Sequence, residues 1–182
     1  GKMPAMTALG ARLGYRWSDG GLRPARRRPI MEGIAWPGWR ANEGGKRNMD
    51  FFDVVKARYS YRGEFKDQPA SEADLRRIVQ AGLDAPSGMN RQTTEFVIVT
   101  DRARVQALAG IVLRESIATA TAVIVLVGNP DPGPKGVSFW VEDCSAAAEN
   151  ILLAAAALGY ASCWIDGALR REGRAEKVAL LL

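Results

Sequence analysis

The chain has 182 residues, of which 47% are hydrophobic and 25% are charged. This length predicts one domain with a modest extension, large enough to bury a core without a metal or a disulfide. The chain has two cysteines, which are interpreted as reduced buried thiols, and no histidine. The missing histidine excludes Ser-His-Asp and Cys-His nucleophile arrangements and the usual zinc sites. If the protein is an enzyme, a bound cofactor is therefore expected to carry the chemistry.

The net charge of +5 is unevenly distributed along the chain. Residues 1–48 hold ten Lys/Arg and three Asp/Glu, a net charge of +7, whereas residues 49–182 hold 15 basic and 17 acidic residues, a net charge of −2. The first segment is rich in Gly, Pro, Arg and Trp and shows no lasting periodicity. It is interpreted as a disordered basic extension, and Met49 as the start of the folded part.

Targeting signals and membrane segments are not apparent. No apolar stretch follows the N-terminal charges as in a secretory signal, and no apolar run approaches the roughly 18 residues of a membrane span. A cytoplasmic location without membrane partners is expected. Nucleic-acid binding through the basic extension is the weaker alternative, and it predicts binding that weakens steeply with salt.

From Met49 onward, helical and strand patterns alternate. We predict helices over residues 50–57, from a Ser71 cap to about residue 83, from an Asp101 cap through residue 113, over residues 138–158 with Gly159 at the C′ position, and from residue 171 to the end. We predict strands over residues 96–99, 122–127 and 162–165, of which the second is continuously apolar and expected to be buried on both faces.

Two segments combine groups suited to a phosphate and to a flat ring. In Arg58-Tyr59-Ser60-Tyr61-Arg62, two guanidinium groups flank a hydroxyl, and arginine donates paired hydrogen bonds to phosphate oxygens. In Pro86-Ser87-Gly88-Met89-Asn90-Arg91-Gln92, backbone N–H groups, a hydroxyl and two amide side chains can bind the rim of a heteroaromatic ring. Taken alone, a solvated turn and an ordinary loop are the simpler interpretations.

A third segment, Trp164-Ile165-Asp166-Gly167, ends a predicted strand, where ligands often bind and where a glycine permits close approach. The alternative is a plain strand followed by a turn. The alanine-rich helix before it is predicted to be a central helix or a dimer interface. Its acids Glu142, Asp143 and Glu149 are interpreted as capping and exposed-face charges.

In their order and spacing these segments resemble the nitroreductase family of flavoproteins. That family has an Arg-x-Ser-x-Arg/Lys segment after a first short helix, then a Pro-Ser-x-x-Asn-x-Gln segment that leads into a strand. A long acidic, alanine-rich helix ending in Leu-Gly follows, and then a strand that ends in a glycine turn. The matching segments are residues 58–62, 86–92, 143–159 and 162–167, and the resemblance covers residues 49–182.

The resemblance implies an α+β fold, with a central mixed sheet flanked by helices, in a homodimer that binds two FMN molecules at its interface. Arg58, Ser60 and Arg62 would bind the FMN phosphate and ribityl chain, with Tyr59 adjacent. Pro86, Ser87, Gly88 and Asn90 would face the isoalloxazine from the partner subunit, and Gln92 belongs to the same loop. Ile165, Asp166 and Gly167 would lie beside the ring, with a backbone N–H near flavin N5.

The implied activity is an FMN-dependent NAD(P)H oxidoreductase. NAD(P)H would reduce FMN, which would pass electrons to a nitroaromatic, quinone or related small-molecule acceptor in a ping-pong reaction that needs no metal and no catalytic side chain. Three departures are clear: residues 1–48 have no counterpart in the family pattern, Gln92-Thr93-Thr94 replaces the family's Gln-Pro-Trp, and the chain ends at Leu182. The last strand and tail are therefore expected to be missing, with a sheet edge left open. This motivates an alternative, a catalytically inactive flavin-fold dimer or binding module.

Overall fold

The computed structural model describes residues 5–11 and 49–182, and its centre is a four-stranded sheet with the order β2-β3-β1-β4. The strands are β1 (Ala5–Ala11), β2 (Thr94–Val99), β3 (Val123–Gly128) and β4 (Ala161–Ile165). β1 runs parallel to both of its neighbours, β3 and β4, whereas β2 pairs antiparallel with β3. The predicted mixed sheet and the three strands predicted after Met49 are therefore confirmed.

The predicted helices also form. They are α1 (Phe51–Ala57), α2 (Glu72–Leu83), α3 (Arg102–Val112), α5 (Trp140–Ala157) and α6 (Arg174–Leu181), and a further short helix, α4 (Glu115–Ala118), lies between α3 and β3. The predicted caps are confirmed, because Ser71 Oγ accepts from the Asp74 amide at 3.1 Å and Asp101 Oδ1 accepts from the Arg104 amide at 2.9 Å. The four-residue α4 was not predicted, since one turn is too short to show a helical period. No helix in the described part of the chain is long and apolar enough to cross a membrane.

Helices cover both faces of the sheet because β3 is apolar on both sides. Val123 and Val125 point towards buried residues of α3 and α6, whereas Ile124 and Leu126 point towards α2 and α5. The burial of β3 on both faces follows from its uninterrupted apolar sequence, as predicted. Gly128 allows α5 to approach the end of β3, because a Cβ there would lie 2.7 Å from the Trp140 ring.

The N-terminal segment differs from its prediction. Ala5–Ala11, predicted to be disordered, is the strand that joins β3 to β4, and it belongs to the same compact unit as residues 49–182. Its alanines and glycine have low strand propensity, so the local sequence gives little sign of a strand. Pairing with two distant strands defines β1 instead. Residues 12–48, the rest of the predicted extension, lie outside the described residues.

The sheet edge was predicted to be open because the chain ends at Leu182. Within the described residues, β4 has β1 on one side and a single parallel bridge, between Ser60 and Ser162, on the other. The outer edge of β4 is therefore covered only at its start, by the segment that follows α1.

Candidate functional site

The Arg58–Arg62 segment lies along the outer edge of β4. The Tyr61 amide donates to the Ser162 carbonyl oxygen at 2.9 Å, which fixes the segment beside the start of the strand. Arg58 ends α1, and its guanidinium lies 3.3 Å from Glu149 of α5. Glu149 is thus half-exposed, as predicted, but it has a partner that the sequence did not indicate. The segment is held by both β4 and α5.

Two cations and a hydroxyl lie near the buried thiol of Cys163. Burial raises the pKa of Cys163, while the positive charges of Arg62 and Arg114 and a hydrogen bond with Ser60 lower it. Arg62 also donates to the backbone carbonyl of Ser60 at 3.3 Å. Sequence reasoning missed Arg114, which lies in the short connection between α3 and α4, outside any recognised motif. Arg62 and Arg114 therefore both place positive charge beside the start of β4.

The loop from Pro86 to Gln92 has an unusual backbone. Met89, Asn90 and Gln92 have φ angles of 54°, 53° and 51°, a left-handed conformation that side chains disfavour. Ser87 Oγ accepts from the Gln92 amide at 2.9 Å, so this hydroxyl stabilises the loop from within. The side chains of Asn90 and Gln92 are exposed, and so is that of Pro86.

Asp143 of α5 holds this loop. Its Oδ1 accepts from the Gly88 amide at 2.7 Å and its Oδ2 accepts from Thr93 Oγ1 at 2.9 Å. Only 5% of Asp143 is exposed, so its interpretation as an exposed-face charge was wrong. The sequence pattern of the helix could not show that the loop would cover this position, because Gly88 and Thr93 lie 55 and 50 residues away along the chain.

The turn after β4 combines a buried residue with an open glycine. Ile165 is 6% exposed, so its side chain belongs to the core, and its backbone alone can face a ligand. Asp166 forms an ion pair with Arg170, and its carbonyl accepts from the Leu169 amide at 2.9 Å. Gly167 is exposed, and a Cβ placed on it would meet no described atom within 4 Å. The turn therefore leaves space beside its backbone.

All three predicted segments are attached to one structural unit, the consecutive elements α5 and β4. Asp143 and Glu149, which hold the loop and Arg58, are six positions apart on α5, about 9 Å along a helix axis. The Arg58–Arg62 segment also pairs with β4, whose end leads into Asp166 and Gly167. Within the described residues no group of three or more His, Cys, Asp or Glu side chains could hold a metal.

A comparison with protein families decides which family has this arrangement. The family model described as the nitroreductase family matches residues 55–119 and 112–181. The chain belongs to the nitroreductase family. A curated relative of this nitroreductase family member, provisionally named NADH dehydrogenase/NAD(P)H nitroreductase, comes from Archaeoglobus fulgidus. It is 36% identical over 119 residues, which cover 65% of this chain and 68% of the relative.

Solved structures of nitroreductases share the fold. An FMN-dependent nitroreductase from Clostridium difficile R20291 has 29% identity and a TM-score of 0.61, covering 70% of this chain and 75% of that one. A nitroreductase with bound FMN from Bacteroides fragilis NCTC 9343 has 27% identity and a TM-score of 0.59, covering 73% and 80%. The family and fold that the sequence motifs implied are thus confirmed.

Proposed function

We propose that this nitroreductase family member is an oxidoreductase that binds FMN and takes electrons from NAD(P)H. The names of its relatives support this proposal, since one is called FMN-dependent and another contains FMN. The observation that carries the proposal is the common attachment of the three predicted flavin segments to α5 and β4. In the proposed dimer, α5 and β4 of each subunit would therefore fix both the phosphate segment with the glycine turn for one FMN and the loop that faces the FMN of the partner subunit.

The residues present fit FMN in their chemistry. Arg58, Ser60 and Arg62 provide two planar cations and a hydroxyl on one short segment, a donor set that suits a phosphate and its sugar-like chain. Tyr59, adjacent to them, is 44% exposed. These four residues would hold the phosphate and ribityl end.

The groups available for the ring are of a different kind. Exposed amide side chains on Asn90 and Gln92 and the open backbone at Gly167 offer neutral donors and acceptors. Such groups suit the carbonyl and nitrogen rim of an isoalloxazine. Pro86, Ser87 and Gly88 shape the same loop, and Ile165 and Asp166 lead into the glycine turn.

Bound FMN would supply the hydride and electron transfer chemistry, with NAD(P)H as donor and a nitroaromatic, quinone or related molecule as acceptor. The chain's own residues would bind the phosphate, orient the ring and leave one face open for donor and acceptor in turn. Alternate use of one site by both substrates is the basis of the proposed ping-pong order. No protein base is required by this scheme.

We propose further that the protein is a homodimer. Phe51, Phe52 and Val55 of α1 are 65%, 79% and 44% exposed in the single chain. Such an apolar patch is typical of a protein interface, and α1 lies against the alanine-rich α5, which was predicted to be a central helix or a dimer interface. A native mass measurement tests this, and a stable monomer at micromolar concentration would contradict it.

The test of FMN binding is the absorbance spectrum of the purified full chain. We expect the absorbance spectrum of a flavin, and we expect denaturation to release the flavin as a small molecule. In the absence of oxygen, NADH or NADPH should bleach the flavin absorbance. Protein that is colourless and takes up no added FMN would overturn the proposal.

Turnover separates the oxidoreductase from an inactive binding module. With a quinone or nitroaromatic acceptor varied at several fixed NAD(P)H concentrations, we expect parallel double-reciprocal lines. Intersecting lines would contradict the ping-pong order. Flavin that binds but is not reduced would favour the inactive module.

A further inference from the structure

The loop between α2 and β2 holds a conformation that its sequence does not favour. Met89, Asn90 and Gln92 all have φ angles between 51° and 54°, although none of them is glycine. Asparagine tolerates this region, whereas methionine and glutamine do so at a cost in conformational energy. Surrounding contacts must therefore stabilise the loop.

Contacts within the loop account for part of this stabilisation. The Asn90 amide donates to the Ser87 carbonyl at 2.9 Å, the Arg91 amide donates to the Gly88 carbonyl at 3.2 Å, and the Gln92 amide donates to Ser87 Oγ at 2.9 Å. These bonds close a tight turn. They do not connect the turn to the rest of the protein.

Asp143 makes that connection at both ends of the turn. One carboxylate oxygen accepts from the Gly88 amide at 2.7 Å and the other accepts from Thr93 Oγ1 at 2.9 Å. Hydrogen bonds to a carboxylate are stronger than neutral ones. Because Asp143 is only 5% exposed, its charge depends on these two donors for the stabilisation that water would otherwise provide.

Close packing leaves the loop little room to shift on α5. A Cβ on Gly88 would lie 2.4 Å from the Phe139 ring, so the loop backbone is in direct contact with the residue that precedes α5. The Thr94 hydroxyl lies 3.6 Å from Cys144 Sγ, one residue after Asp143. Arg91 donates to the Asp131 carbonyl at 2.8 Å, which ties the other side of the loop to the segment before α5.

We propose that Asp143 is a positioning residue that holds the loop from Ser87 to Gln92 in its left-handed form and thereby orients its exposed amides towards the flavin. The orientation of the amides towards the flavin rests on the proposed function, whereas the stabilisation of the loop by Asp143 is independent of it. Asp143 itself is buried under the loop, so in this proposal it acts on the loop without contact to the flavin. The carboxylate acts through the Gly88 amide and the Thr93 hydroxyl.

The two groups that donate to Asp143 differ in their hydrogen-bonding capacity. The Gly88 amide can only donate, whereas the Thr93 hydroxyl can donate or accept. An asparagine at position 143 can accept from Gly88 with its oxygen and donate to Thr93 with its nitrogen. Asp143→Asn should therefore retain both bonds, Asp143→Ala should lose both, and Asp143→Asn combined with Thr93→Val should leave the amide nitrogen without its partner.

The experiment measures amide hydrogen exchange of residues 87–93 in the full chain without flavin, and then the Kd for FMN. For Asp143→Ala we expect loop exchange to accelerate and the Kd to rise, each by about tenfold or more. Asp143→Asn, which keeps both hydrogen bonds in their weaker neutral form, should change both quantities less than Asp143→Ala does, and adding Thr93→Val should bring back the loss. Glu142→Ala removes an exposed acid from the same turn and should change neither.

Two results would overturn the proposal. One is an Asp143→Ala protein whose loop exchange and FMN affinity both match those of the parent. The other is an Asp143→Asn protein as impaired as the alanine variant, since charge rather than hydrogen bonding would then be responsible. If Asp143→Ala does not fold, the comparison of Asp143→Asn with and without Thr93→Val decides. If the parent binds no FMN, the proposed function fails, while the exchange measurements still decide the role of Asp143.

Discussion

Single atoms determine how closely the loop after α2 can lie against α5. Gly88 has no Cβ, and its amide is the donor nearest the buried Asp143. A glycine is needed here for space, because the Phe139 ring occupies the volume that any side chain would take. The same argument does not apply to Gly110, which has open space around it in the last turn of α3.

Replacing these two glycines by alanine should therefore have opposite effects. Gly88→Ala should lower the free energy of unfolding by about 1–3 kcal/mol because the methyl group overpacks against Phe139. Gly110→Ala should raise it by up to about 1 kcal/mol because alanine loses less backbone entropy in a helix. Urea unfolding curves measure both, and a Gly88→Ala protein as stable as the parent would contradict the close approach.

The role of Arg58 can be separated from its pairing with Glu149. If Arg58 binds the FMN phosphate, Arg58→Ala should raise the Kd for FMN by roughly tenfold or more. It should leave the Kd for riboflavin, which lacks the phosphate, almost unchanged. Fluorescence titrations with both ligands check this.

Arg76→Ala is the matched control for Arg58→Ala. Arg76 also pairs with a glutamate, Glu72, but both side chains are more than 75% exposed on α2, away from the predicted segments. Equal loss of FMN and riboflavin affinity in Arg58→Ala would show that the substitution disturbs the fold instead of the phosphate site.

Among the elements, β1 changes the interpretation of the chain most. It forms five residue pairs with β3 and five with β4, and these two strands do not pair with each other. The core nevertheless requires both, since Val123 and Val125 of β3 share a cluster with Cys163 and Ile165 of β4. A segment that looked like an extension thus holds the sheet together.

A proline within β1 should therefore destabilise the folded protein strongly. Ala8 pairs with Ile124 on one side and Trp164 on the other, and Ala8→Pro removes a backbone donor from the centre of the sheet. We expect a loss of about 3 kcal/mol or more in the free energy of unfolding. The control is Glu72→Pro, since the first position of a helix tolerates proline and Ser71 before it is extended.

Circular dichroism during thermal unfolding compares these two proline variants. If the Ala8→Pro protein unfolds at the same temperature as the parent, β1 does not contribute to the stability of the sheet. The prediction that folding begins at Met49 would then be the better interpretation.

For the whole molecule, the burial of two cysteine thiols makes the free energy of unfolding depend on pH. Burial raises the pKa of Cys144 and of Cys163 above the value near 9 of a free thiol. The unfolded thiols ionise first, so above pH 9 the folded state binds more protons than the unfolded state. The free energy of unfolding should then fall as pH rises through the folded pKa, while below pH 8 it should not depend on these groups.

Urea unfolding between pH 7 and pH 10 measures this dependence. Cys163→Ala should reduce the slope above pH 9 although it lowers stability at every pH, because it removes one of the ionising groups. A variant with an unchanged slope would show that Cys163 does not contribute. In the same pH range, a thiol reagent should modify the native protein more slowly than the unfolded protein.

Local sequence by itself determined the helices after Met49 except the one-turn α4, the Ser71 and Asp101 caps, the apolar β3 and the family. Caps such as Ser71 and Asp101 act on amides three residues away, and the motif around Arg58 is continuous, so both can be recognised without the fold. What the tertiary structure decided was the place of β1 and the burial of Asp143. Both depend on partners more than 45 residues away, Gly88 and Thr93 for Asp143 and β3 and β4 for β1. No local pattern of charge or hydrophobicity indicates such distant partners.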